Sequence, residues 1–309
     1  MSATRVAAGT ANVREVIRHR GSGTLVRDAV RRFSAADGLS HTRALAYQSM
    51  FVLLSGFIGI IGFASVLDVV ELRRTVEQIA TWISPGPSSR LIQEAARQGA
   101  SGGVTATLVG LIAALAAGTL AMTQIERSAN RIFGSPVDRP GAGRYVVAFL
   151  LAISAGALFL TGMVVFAGGS AISQGAGFSG GIRTTWEVLR WPLGLALASA
   201  GIYLLFRLAP RERFATGAAL TAGTIVAVVL WAAFTAGLAV YFSISGTSNA
   251  TYGPLLSVVA LLLWSALTSL ALHLGLAVAA EIDADVAAGR RVVHVPDVAD
   301  VPPVRPSAS

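Results

Sequence analysis

The chain runs from residue 214 to residue 280, 67 positions, without an Asp, Glu, Lys or Arg. One bilayer crossing needs about 20 apolar residues, so this stretch is too long for one helix and right for two with a turn between them. The polar, Gly- and Pro-containing residues 243–254 supply the turn. The pattern therefore predicts a transmembrane hairpin with spans at about 215–242 and 254–280. Upstream, residues 44–67 are uncharged between Arg43 and Asp68 and form the first predicted span. Three more apolar runs follow, at about 104–125, 145–167 and 186–206, the last interrupted early by Pro192. The third is expected to dissolve near Gly168 into a Gly- and Ser-rich segment ending at Gly181.

Other stretches are periodic without being apolar throughout. Residues 25–39 place Val26, Ala29, Val30 and Phe33 on one side of a helix and Arg27, Arg31 and Arg32 on the other. Such a helix either lies on the cytoplasmic membrane face or leads, solvated, into the first span. In residues 68–83, Val69, Leu72, Val76, Ile79 and Ile83 recur at spacings of three and four, with Trp82 as an anchor. Pro85-Gly86-Pro87 stops that helix, and a second short one, residues 89–98, ends at Gly99. The two are expected to form an amphipathic cap on the outer face. Ala106, Gly110, Ala114 and Gly118 in span two, and Ala148, Ala152 and Gly156 in span three, put small residues at every fourth position. These are helix-packing faces, within one chain or between two copies.

Composition agrees with this reading. Apolar residues make up 54% of 309 and charged ones only 13%, the balance of a multi-pass membrane protein. The absence of Cys removes disulfides, thiolate catalysis and Cys-ligated metals. Residues 1–43 hold eight Arg and no apolar run long enough for a signal peptide, so the first span is expected to be the insertion signal. With six spans and the N-terminus inside, 18 Arg fall on inner segments and 6 on outer ones, which predicts two cytoplasmic termini. The expected architecture is an all-α membrane protein: a basic segment 1–43, six transmembrane helices over 44–281 with the outer helical cap between helices one and two, and a disordered cytoplasmic tail over 282–309.

Reactive groups are sparse. His19, His41, His273 and His294 are scattered without metal-ligand spacing. His273 falls within span six, where it is either a functional ionisable group or a neutral His bonded to a neighbouring helix. No carboxylate is expected at membrane depth, which argues against proton antiport. Residues 175–180 match GxGxxG but lack the strand–helix context of a dinucleotide site and read as a flexible outer loop. Glu126, Arg127, Asn130 and Arg131 cluster at the inner end of span two, where they either bind phosphate head groups or anchor the helix.

Several strings resemble the YihY/BrkB family of bacterial inner-membrane proteins, once labelled ribonuclease BN. They are Arg43-Ala44-Leu45-Ala46-Tyr47, Asn130-Arg131-Ile132-Phe133-Gly134, and Asn249-Ala250-Thr251-Tyr252-Gly253-Pro254-Leu255 followed by Leu261-Leu262-Leu263-Trp264. The resemblance covers about residues 25–281. It departs at Gly56, where the family often has Pro, and at Ala277, where it often has an intramembrane Glu, while Glu281 matches a second acid of that pattern. The resemblance implies six spans with cytoplasmic ends and links to envelope integrity, serum resistance and movement of lipid-type molecules. The expected function is binding or translocation of a lipid or other amphiphilic envelope component in the bacterial plasma membrane. The alternatives are a scaffolding membrane protein and, behind it, a ribonuclease or envelope-lipid hydrolase. No cofactor, metal, catalytic residue or specific nucleic acid is expected. Membrane lipids and a second copy of the chain are the expected partners. The site positions singled out are Arg43, Tyr47, Glu126, Asn130, Arg131, Arg144, Asn249, Tyr252, His273 and Glu281.

Overall fold

The computed structural model of the chain describes residues 21–66, 87–135, 141–175, 177–211, 214, 216–244 and 253–293. The described residues form seven helices: α1 (Ser22–Ala35), α2 (Gly38–Val66), α3 (Ser88–Ile132), α4 (Gly143–Gly175), α5 (Gly180–Leu208), α6 (Gly217–Ile244) and α7 (Gly253–Val293). The predicted helix at 68–83, the Asn249 and Tyr252 turn, and residues 294–309 lie outside the described residues.

Five helical segments are long and apolar enough to cross a membrane: Gly38–Phe63, Arg97–Ile132, Gly180–Leu208, Gly217–Ile244 and Leu255–Ala287. The expected third span falls on α4, whose apolar stretch by that measure, Gly143–Phe159, is shorter. The helices pack chiefly in sequential pairs, α2 with α3, α4 with α5, and α6 with α7; α7 also touches α1, α2 and α3. Each pair crosses where glycine lets backbones approach. A Cβ on Gly110 would stand 2.7 Å from Gly59 Cα, one on Gly201 2.9 Å from the Ala155 carbonyl, and one on Gly275 2.6 Å from the Gly223 carbonyl. The small-residue face of span two thus packs within the chain, on α2 at Gly110 and on Ala152 of α4 at Gly118, where the would-be contact is 3.7 Å.

Four sequence expectations change. First, residues 88–99, the described half of the expected cap, bury an apolar face in the bundle: Ile92 and Ala95 lie in a core cluster with Phe57, Ile61, Leu238, Leu261 and Trp264. The cause is the face made by Ile92, Ala95 and Gly99; a Cβ on Gly99 would be 2.5 Å from the Ile58 carbonyl. Gly62 abuts both Gly99 and Thr107, which in an unbroken helix lie about 12 Å apart along the axis. The chain folds back between them at Gly103, whose φ of 53° and ψ of −137° lie in a region open to glycine. Second, α4 continues to Gly175 and α5 starts at Gly180, so the expected Gly-rich loop shrinks to a turn in which Gly177 and Gly180 take positive φ. Third, α7 does not end at Glu281 but runs to Val293, so residues 282–293 are helical rather than a disordered tail. Burial explains part of this, because Ile282 and Val286 pack in the core. Fourth, a carboxylate does fall within a spanning helix, about two turns from its start: Glu187 of α5 is 2.8 Å from Arg190 Nε and accepts a hydrogen bond from Ser173 Oγ at 3.3 Å. The local i,i+3 spacing lets the acid enter the helix already paired.

Candidate functional site: a polar junction at one end of the bundle

The amphipathic helix α1 is docked. Leu25, Ala29 and Phe33, one helical turn apart, are buried against the bundle, whereas Val26 and Val30 on the next stripe are exposed. Arg32 is the docking bolt: its Nε lies 2.7 Å from Glu281 Oε2 of α7, and its Nη1 donates to the Ile132 carbonyl at the end of α3 at 3.2 Å. One guanidinium thereby joins three helices and supplies a donor to a carbonyl that its own helix leaves unpaired.

The end of α3 contributes the densest polar set. Glu126, Ser128 and Asn130 are all buried, at no more than 1% exposure, in a segment that the sequence reads as a membrane-surface cluster. Asn130 Oδ1 accepts the backbone N–H of Arg211 at 2.8 Å and so holds the α5–α6 connection. Ser128 Oγ lies 2.9 Å from His273 Nε2, and His273 Nδ1 lies 2.7 Å from the Ser269 carbonyl. A carbonyl only accepts, so Nδ1 carries the hydrogen and Nε2 is the acceptor in the neutral ring. Ser128 Oγ is also 2.9 Å from the Ile125 carbonyl, but its single hydrogen serves Nε2, because in this tautomer Nε2 can only accept. His273 is 2% exposed and is bonded through both nitrogens. Beside it lies a cavity of about 10 Å³ bordered by Leu45, Ser128, Phe206 and Leu276, at the lower limit of what one water occupies. On the adjoining face Gln124 Nε2 lies 2.6 Å from His41 Nδ1.

Two residues beyond Glu281, Asp283 Oδ1 accepts the Thr216 N–H at 3.1 Å, and Thr216 Oγ1 caps α6 by accepting from the Ala219 N–H at 3.4 Å. The junction therefore ties α1, α3, α7 and the start of α6 by side chain to side chain and side chain to backbone bonds. Among the described residues no group of three His, Cys, Asp or Glu is placed to hold a metal ion.

The structure separates the positions singled out from sequence. Glu126, Asn130, His273 and Glu281 come together in the junction. Arg43, Tyr47 and Arg131 are outside it and exposed, with Tyr47 edge-on to Phe51 at 4.9 Å. Arg144 is half-buried at the start of α4, donating to the Tyr145 hydroxyl at 2.9 Å and lying over its ring. Asn249 and Tyr252 lie outside the described residues. Sequence reasoning missed Arg32, Ser128, Thr216 and Asp283. Of these, only Thr216 carried a local signal, a Thr three residues before the first buried position of a helix.

The model of the virulence factor BrkB family matches residues 29–296, nearly the whole described chain. The chain belongs to the virulence factor BrkB family. Its family membership and its long apolar helices make it a helical membrane protein. The match begins within α1 and extends past the end of α7, so the second half of the docked helix, with Arg32, and the junction fall inside the family's matched region. No curated protein and no solved structure matches the chain.

Proposed function

We propose that this BrkB-family chain is a six-span protein of the bacterial plasma membrane, with both termini cytoplasmic, that binds or translocates a lipid or other amphiphilic envelope component. The observation that carries this reading is a groove between α6 and α7. It has a volume of about 320 Å³, is lined by Ala233, Phe234, Gly237, Leu238, Tyr241, Leu263 and Leu267, and is open rather than enclosed. Its lining is almost wholly apolar, and its size is at the lower end of small-molecule sites, the shape that suits an alkyl chain. α4 supports the sixth span: its 33 residues measure about 50 Å, and it pairs along α5 as a hairpin partner does. The excess of Arg on the loops at the junction end supports cytoplasmic placement of that end. Arg131, exposed beside the junction, and Arg144 are the proposed head-group contacts.

No catalytic step belongs to this proposal. Glu281 and Asp283 are engaged with Arg32 and the Thr216 N–H, and such helix-end contacts account for them without a reaction. A scaffolding role is the second reading, and one observation favours it: the cavity inside the bundle, beside His273, is only about 10 Å³. Native mass spectrometry of the protein released gently from its membrane separates the two. The lipid reading expects a stoichiometric, chemically selective lipid whose retention falls at least several-fold in Arg131→Gln/Arg144→Gln. Bulk phospholipid in membrane proportions, unchanged in that variant, would overturn it in favour of the scaffold.

A further inference from the structure

Hydroxyls in apolar helices ordinarily bond back to their own backbone, and most in this bundle do so. Ser55, Thr107, Thr119, Ser154, Thr221 and Thr224 each donate to the carbonyl four residues earlier. Ser265 and Ser269 of α7 break the habit. They are 0% and 1% exposed, and neither Oγ has a hydrogen-bond partner among the described residues. Thr268 Oγ1, on the flank of the same face, is also buried and unpartnered. At about 100° per residue the three hydroxyls fall within an arc of about 100° on α7.

A fourth such atom comes from α2. Gln48 Oε1 is buried without a partner. Leu45 borders the same small cavity as Leu272, His273 and Leu276, and Met50 shares a core cluster with Leu261 and Trp264, so α2 and α7 run antiparallel. Gln48, one turn beyond Leu45, is thereby level with Ser269, and Ser265 lies one turn further along α7. This is the middle of the α7 span, Leu255–Ala287, one turn from His273 of the junction and on the opposite face of α7 from Leu263 and Leu267 of the α6–α7 groove.

All four atoms are neutral oxygens. The Gln48 carbonyl oxygen accepts only, so what satisfies it must be electropositive or carry a hydrogen. The absence of a carboxylate from the set disfavours a divalent ion, which is ordinarily held by one or more of them. We propose that the α2–α7 seam is a binding site for a monovalent alkali cation, held by Gln48 Oε1, Ser265 Oγ and Ser269 Oγ with Thr268 Oγ1 beside them. Backbone carbonyls or water would complete the shell. The proposal does not rest on the lipid reading; it supplies a membrane protein of this family with a coupling or structural ion whatever the protein carries.

The test is the melting temperature of the purified full-length protein, followed by tryptophan fluorescence, in NaCl, KCl and choline chloride at constant ionic strength. A ligand that binds only the folded state stabilises it with the logarithm of its concentration above Kd. The expected result is a rise of about 2–8 °C across a hundredfold increase in Na⁺ or K⁺ that choline does not give. The variant Ser265→Ala/Ser269→Ala removes buried hydroxyls that have no partner, so it folds, melts in choline at or above the wild-type temperature, and shows no ion-specific rise. Gln48→Leu abolishes the rise in the same way. A wild type indifferent to all three salts marks a seam that holds water alone and overturns the proposal, as does a double variant that keeps the wild-type response.

Discussion

Gly110 and Gly156 look alike in sequence, each in a ribbon of small residues at every fourth position of an apolar helix, yet replacing them with Ala should move stability in opposite directions. A Cβ on Gly110 would sit 2.7 Å from Gly59 Cα and 2.9 Å from the Ser55 carbonyl, both backbone atoms of α2 that no rotamer change can clear. Ordinary contact begins near 3.4 Å, so α2 and α3 must separate by a sizeable fraction of an ångström. Gaps of that size forfeit about a quarter to a half of the dispersion energy at each contact, and such overpacking costs about 1–3 kcal/mol. The better helix propensity of Ala returns up to about 1 kcal/mol, which leaves Gly110→Ala less stable by about 1–2 kcal/mol. Gly156 has nothing within 4 Å of its would-be Cβ, so Gly156→Ala retains only the propensity gain, about 0.5–1 kcal/mol of added stability. Equilibrium unfolding in mixed micelles of both variants, against Gly118→Ala as a third point at 3.7 Å, reads the ordering directly. A Gly110→Ala protein as stable as the wild type would refute the close crossing of α2 and α3.

Two further predictions concern the junction. Arg32→Gln removes the 2.7 Å pair with Glu281, whose side chain is 10% exposed against 28% for Arg32, and leaves that carboxylate without its cation. The expected loss, lowered for the partial exposure, is about 1–3 kcal/mol, with protease cleavage appearing between α1 and α2; unchanged unfolding and no new cleavage would show that α1 is not bolted there. Ser128→Ala deletes the hydroxyl on His273 Nε2 and should cost about 1–2 kcal/mol, while Ser154→Ala, whose exposed hydroxyl bonds only its own helix, stays within about 0.5 kcal/mol. Equal losses in the two would mean the Ser128–His273 bond does not form.

Much of this fold is written in runs of apolar residues, because burial in hydrocarbon demands them residue by residue. Span positions, the α6–α7 hairpin and the small-residue packing faces follow from such local patterns. The buried face of residues 88–99 did not, because Gln93, Glu94 and Arg97 make the segment look like surface helix, and only the partner face on Ile58 and Gly62 reveals where it goes. The end of α7 was misplaced for a similar reason. Asp283 reads as solvated until the Thr216 N–H arrives from 67 residues away to meet it. Glu126 was read as part of a surface cluster that either binds head groups or anchors the helix, because a charge at a helix end usually faces water. Its burial depends on α3 being covered by neighbours distant in sequence. Long-range pairing of polar groups, as between Arg32 and Glu281, has no periodicity for a single sequence to display.

The location of free space constrains how an amphiphile could be handled. Packing beside His273 leaves about 10 Å³, too little for any lipid fragment, whereas the α6–α7 groove offers about 320 Å³ on the outside of the bundle. Of the five segments among the described residues that are long and apolar enough to cross a membrane, α6 has the smallest buried share, 11%, so this groove lies on a helix with little of itself inside the bundle. An alkyl chain held there stays in contact with hydrocarbon and needs no passage through the protein. The polar part would then have to travel along the bundle surface, where the charged groups sit toward opposite ends: Arg131 beside the junction, and the Glu187–Arg190 pair near the start of α5. Translocation by this chain therefore implies separation of neighbouring helices, and α6, joined to α5 by far fewer contacts than to α7, is the element with most freedom to make it. A cross-link that pins α6 to α5 should block transport while leaving lipid retention in the groove intact; loss of both together would place the binding site at the α5–α6 boundary instead.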